Sequence, residues 1–110
     1  MADNKYFFGK DIPVSQVAEG ATRQVLAYDD QLMLVKMEFE EGSVGATHSH
    51  PHTQVTYIVS GRYNFTNGDE TREVGPGDSL HFAPDVPHGA LCLEAGTVID
   101  VFTPCRKDFL

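Results

Sequence analysis

The sequence is short of several things, and each shortage excludes a class of protein. It has no tryptophan and only two cysteines, Cys92 and Cys105, in 110 residues. Two thiols without metal-finger spacing make neither a disulfide scaffold nor a zinc finger, and both are read as bystanders. Basic residues are few: eight Lys and Arg stand against sixteen Asp and Glu, a formal net charge of −8. They are scattered from Lys5 to Lys107 without a basic stripe. That pattern excludes nucleic acid as a partner and argues against anionic membrane surfaces. No apolar run approaches the roughly 20 residues of a membrane span. The stretch from Met1 to Asp11 lacks the apolar core of a secretory signal, so a cytoplasmic location is expected. On that expectation the Asn64-Phe65-Thr66 triplet is a chance match to a glycosylation acceptor. Long helical periodicity is missing too, because Gly or Pro interrupts most windows. Helix is expected only as one or two short turns near Pro13 to Ala18.

What is present reads as β-structure in one domain covering residues 1–110, a length ordinary for a single core. Short runs rich in Val, Ile, Tyr, Phe and Thr recur between turn residues, the composition of pleated, half-buried surfaces. Expected strands cover Gln24 to Tyr28, Leu32 to Glu40, Ala46 to His50, Gln54 to Ser60 and Arg62 to Asn67. Further ones cover Glu70 to Val74, Ser79 to Phe82, His88 to Leu93 and Thr97 to Thr103. Asn67-Gly68 supplies the positive φ angles of a tight hairpin. About nine strands at this spacing predict an all-β sandwich, barrel or jelly roll.

Three of the five histidines fall within Thr47-His48-Ser49-His50-Pro51-His52. On a strand, His48 and His50 point to one face and make half of a metal site. Gln54 opens the next strand at the edge of the same pocket. The turn Pro84-Asp85-Val86-Pro87 delivers His88 from a distant strand. Neutral, nitrogen-rich ligands suit nickel, zinc, iron or copper better than magnesium or calcium, and manganese is kept as a fourth-choice ion. From the residues alone, a surface histidine cluster remains the competing reading.

The spacing is more specific. From Gly42 the chain runs five residues to His48, one to His50, three to Gln54 and six to Gly61. This resembles the first cupin motif, with Gln54 where most members have Glu. Gly77-Asp-Ser-Leu-His-Phe-Ala-Pro-Asp-Val-Pro-His88 resembles the second. The resemblance implies a cupin, a double-stranded β-helix or jelly-roll barrel, holding one divalent metal ion through His48, His50, Gln54 and His88. His81 falls off the ligand pattern and is expected to face outward, and His52 is expected beside the ligands. Three imidazoles and an amide carry no charge, so the ion's two positive charges remain uncancelled. An anionic small molecule is thus a natural partner even for an acidic protein.

In Val98-Ile99-Asp100-Val101-Phe102-Thr103, alternation puts Asp100 and Phe102 on one face. An aspartate in an apolar strand is costly to bury unpaired, so it either binds a backbone group or faces a functional cavity. Arg106, beyond Pro104, either is a solvated tail charge or folds over the barrel mouth.

Taken whole, the chain is similar to the small cupins of the KdgF family of pectin and alginate breakdown. The likeness rests on Val25-Leu-Ala-Tyr28 with Leu32 to Gly42, on His48 to His52 with Gln54, on Val74 to Asp78, and on Asp100-Val-Phe-Thr-Pro-Cys-Arg106 through Leu110. It implies an isomerase-type enzyme linearising 4,5-unsaturated uronic acid monosaccharides to 5-keto-4-deoxyuronate. It assigns turnover to Asp100, Phe102 and Arg106, and the metal to the four ligands above. Two alternatives stay open: a cupin dioxygenase acting on a small organic acid, and a sugar-acid-binding cupin without catalysis. A homodimer is expected, because small cupins commonly pair through edge strands.

Overall fold

The computed structural model describes residues 5–110, and strand dominates them. The strands are β1 (Ser15–Ala18), β2 (Ala21–Tyr28), β3 (Met33–Phe39), β4 (Val44–His48) and β5 (Thr53–Ile58). They continue as β6 (Arg62–Asn67), β7 (Glu70–Val74), β8 (Ser79–Phe82), β9 (His88–Glu94) and β10 (Gly96–Thr103). Two antiparallel sheets result, one in the order β1-β2-β3-β10-β5-β8 and the other β4-β9-β6-β7. The all-β expectation holds. No helix among the described residues is long and apolar enough to cross a membrane.

The strand register explains what faces inward. Alternate residues on paired strands share a face, so the inner surface of the larger sheet is built in rows. One row holds Arg23, Met37, Val98 and Ile58; the next holds Val25, Val35, Asp100, Thr56 and Leu80; the third holds Met33, Phe102, Gln54 and Phe82. Two buried apolar clusters form around these rows. Ile58, Val98 and Phe82 meet Tyr63, Phe65 and Cys92 of the smaller sheet, while Met33, Val35, Phe102 and Cys105 form the second group. Both cysteines are buried and form no disulfide. Asp100, Thr56 and Gln54 form a polar patch on this wall, and Arg23 is the one charged residue of these rows besides Asp100.

Phe82 is fully buried, stacks on the His88 ring with centroids 4.4 Å apart, and lies 6.0 Å from the Phe65 ring. Replacing it with Ala should cost about 3–5 kcal/mol of unfolding free energy, the transfer term plus a cavity. Urea titration reads this directly; a loss under about 1 kcal/mol would show that the site collapses without penalty.

Local departures from the expected pattern have simple causes. The segment expected to turn helically is strand: Ser15–Ala18 pairs with β2 across a turn in which Gly20 has φ +72°. A single 3-10 turn, Gly9–Asp11, lies earlier, and Gln24 Nε2 donates to the Gly9 and Ile12 carbonyls at 2.8 and 3.1 Å. In the β6–β7 hairpin Gly68 alone takes the left-handed φ, +65°, whereas Asn67 stays in its strand. The Asn67 amide instead donates to the His81 carbonyl at 2.9 Å.

Candidate active site

His48 ends β4 and His88 begins β9, and the two are paired across the ladder. His50 does not share a strand with His48, as alternation had implied. It lies in the loop beyond β4, where its carbonyl accepts the Asp85 N–H at 2.8 Å. That bond ties the histidine loop to the turn before His88. The three rings still converge, with centroids 4.4, 4.9 and 5.8 Å apart. One nitrogen from each lies within 4.8 Å of the others. His50 and His88 are buried and His48 is exposed.

Each ring is oriented by its own backbone. His48 Nδ1 meets the Ala46 carbonyl at 2.8 Å, His50 Nδ1 the His52 carbonyl at 3.0 Å, and His88 Nδ1 the Val86 carbonyl at 2.9 Å. A carbonyl only accepts, so each Nδ1 carries the proton and each Nε2 presents a lone pair. Metal-ligating histidines are held in this way. His88 Nε2 is buried without any hydrogen-bond partner, a costly state for a neutral nitrogen facing nothing.

Gln54 sharpens the case. Its Nε2 donates to Thr56 Oγ1 at 3.0 Å and to Asp100 Oδ1 at 3.2 Å, which turns Oε1 toward His50 Nε2 at 2.9 Å. Two acceptors then face each other. Moving the His50 proton to Nε2 only transfers the conflict to the His52 carbonyl. Imidazolium would satisfy both sides, but burial holds the His50 pKa below its ordinary value, with the Gln54 contact opposing and Arg106 adding to the drop. Burial likewise lowers the His88 pKa. A divalent cation accepted by Nε2 and Oε1 together removes the conflict, and neutral imidazoles are the form that binds one. The donor set fits a transition metal.

Asp100 stands next to this group. Thr56 Oγ1 donates to Asp100 Oδ1 at 2.6 Å, and the Gln54 amide reaches the same oxygen. Burial pushes the Asp100 carboxyl up to about 6, against the opposing pull of those two hydrogen bonds and of the Arg106 charge. Phe102, two residues on, puts its ring 5.6 Å from that of His50. Arg106 is folded inward, its side chain 11% exposed, with the guanidinium carbon 5.1 Å from the Phe102 ring and 4.1 Å from the Phe109 ring.

These groups line one cavity of about 430 Å³, shared by His48, His88, Gln54, Asp100, Phe102 and Arg106. His50 does not line it, although its ring nitrogen lies with those of His48 and His88. The volume is that of a small-molecule site, apolar with a few converging polar groups. His52 contributes its carbonyl and a ring 5.6 Å from that of His50, and His81 faces outward opposite Val55. Sequence reasoning passed over Thr56, Phe109 and Arg23. Thr56 had a signal, since it stands two residues from Gln54 on one strand and must share its face.

Two sheets enclosing such a cluster are the architecture of a cupin, and the cupin domain model matches residues 35–102. The pectin degradation protein KdgF of Dickeya dadantii (strain 3937) is 33% identical over 96% of this chain and 98% of its own length. An RmlC-like cupin from Shewanella frigidimarina NCIMB 400 superposes with a TM-score of 0.93 at 35% identity, covering all of both chains. KdgF from Halomonas sp. gives a TM-score of 0.91 at 34% identity over 97% of this chain and 99% of that one. The chain belongs to the cupin family and, within it, to the KdgF-like small cupins.

Proposed function

We propose that the chain is an isomerase-type enzyme of pectin or alginate breakdown that opens 4,5-unsaturated uronic acid monosaccharides to 5-keto-4-deoxyuronates. His48, His50, Gln54 and His88 would hold one divalent ion, of nickel, zinc, iron or manganese. When bound, that ion supplies Lewis acidity toward substrate oxygens.

The substrate is a cyclic hemiacetal whose ring oxygen is joined to the C4=C5 double bond. Ring opening removes the proton of the C1 hydroxyl and breaks the bond between C1 and the ring oxygen. An aldehyde forms at C1, the released electrons make an enolate at C5, and a proton added at C4 leaves a ketone. Atoms and charge balance without an oxidant.

Asp100 suits both proton steps. Burial pushes its carboxyl up from the ordinary carboxylate range, which makes it a stronger base, and a general base works best with a pKa near the working pH. Thr56 and Gln54 bond Oδ1, so Oδ2 is the oxygen turned to substrate. Phe102 provides an apolar wall. Arg106 lends positive charge to a substrate carboxylate, although Nε and Nη2 already hold Asp108 at 3.1 and 2.7 Å. The observation that carries this reading is a half-buried aspartate lining the same cavity as His48 and His88, two of the three converging histidines.

Adding the protein to a lyase-generated unsaturated monouronate should bleach the conjugated C4=C5 absorbance, faster than in a chelator-treated control. Equal rates with and without protein would end the proposal. Arg106→Ala should raise KM by about ten- to a hundredfold with a smaller change in kcat, as expected for losing a charge-assisted contact. Steady-state kinetics on the same substrate check this, and an unchanged KM would remove Arg106 from substrate binding.

A further inference from the structure

Phe109 has two guanidinium groups against its ring. The Arg23 carbon lies 3.7 Å from the ring centroid and the Arg106 carbon 4.1 Å. Arg23 comes from β2, in the inward row with Met37 and Val98. Arg106 comes from the far end of the chain, and both arginines line the cavity that holds His48, His88 and Asp100. Their partners differ. Arg106 uses Nε and Nη2 on Asp108. Arg23 has no carboxylate within salt-bridge distance among the described residues.

Two like charges brought together in a half-buried place repel each other. Burial and the nearby Arg106 charge both lower the Arg23 pKa, and the Asp108 charge opposes them. Stacking on one ring returns part of that cost. A planar guanidinium with its fork unspent is a ready partner for a carboxylate, which it binds through two parallel hydrogen bonds.

We propose that Arg23 is a specificity-determining residue of this site, binding the carboxylate of a uronate beside Arg106 and thereby selecting acidic over neutral sugars. The substrate class rests on the function proposed above; the preference for an acidic sugar can be tested without turnover. D-galacturonate and neutral D-galactose serve as probes, with binding to the wild-type protein read by calorimetry. The acid should bind at least about tenfold more tightly, the range of one charge-assisted contact. Arg23→Met keeps a stem to cover Phe109 but removes the fork. It should erase most of that preference and raise KM for the unsaturated monouronate about tenfold or more, with kcat within about threefold.

Arg23→Lys restores charge without the fork and should recover part of both. A folded Arg23→Met protein with unchanged preference and KM would reduce Arg23 to a packing residue for Phe109. Should the Met variant unfold, Arg23→Lys decides: a preference for the acid weaker than in the wild type supports the proposal, and an undiminished one overturns it. A wild-type protein that prefers galacturonate through Arg23 yet leaves the unsaturated uronate untouched would refute the reaction and leave this binding role standing.

Discussion

Asp100→Asn is expected to lower kcat on an unsaturated monouronate by about two to four orders of magnitude, the range for losing a positioned acid or base. The substitution keeps volume and most hydrogen-bonding capacity, so Thr56 and Gln54 retain a partner. KM should therefore change little, and metal content by elemental analysis should stay near that of the wild type. Full turnover in a metal-replete Asn variant would remove Asp100 from the chemistry. The same variant offers a second readout in metal-stripped protein. The folded-state pKa of Asp100, about 6, is raised above the unfolded value, so the folded state holds the proton more tightly. Its contribution to stability is present below about pH 4 and is lost as pH rises through about 6. His50 and His88 have lowered pKa values, so their contribution runs the other way and fades as pH falls. Subtracting the melting profile of Asp100→Asn from that of the wild type should isolate the Asp100 trend; a flat difference would contradict it.

His88→Ala should abolish measurable turnover, a loss of three orders of magnitude or more if metal chemistry supplies several kcal/mol of the barrier reduction. His88 is one of the four proposed donors and the one whose Nε2 is buried without another partner. Wild-type protein stripped by a chelator should lose activity to the same floor and regain it when divalent metal returns. Metal should also raise the melting temperature of the wild type, since an ion that binds only the folded state stabilises it by about 2.7 kcal/mol at a hundred times its Kd. His88→Ala should show little of that rise. Stripped wild-type protein working at full speed would defeat the metal assignment together with the proposed activity.

Much of this site is legible in the sequence because its information is local. Gly42, His48, His50, Gln54 and Gly61 sit at fixed intervals, and the Pro84 to Pro87 turn announces that His88 returns to the same place. Asp100 and Phe102 follow from alternation on a strand otherwise apolar. Other parts depend on pairing between distant strands. Arg23 faces inward only because β2 is in register with β3 at Met37, and one residue of slip would turn it to solvent. His50 converges with His48 through a loop and a hydrogen bond from Asp85, which no strand periodicity encodes. The early segment misled because Ser15 to Ala18 is too short to show a period of two, and Pro13 reads equally well as the start of a helix or the lead-in to an edge strand.

The last turn, Lys107–Phe109, brings Phe109 onto both arginines and Phe102, and Asp108 onto Arg106. Every strand is complete before it begins. The turn is thus a clasp set on a finished sheet: without it Arg23 and Arg106 lose their shared ring, and Arg106 its carboxylate partner.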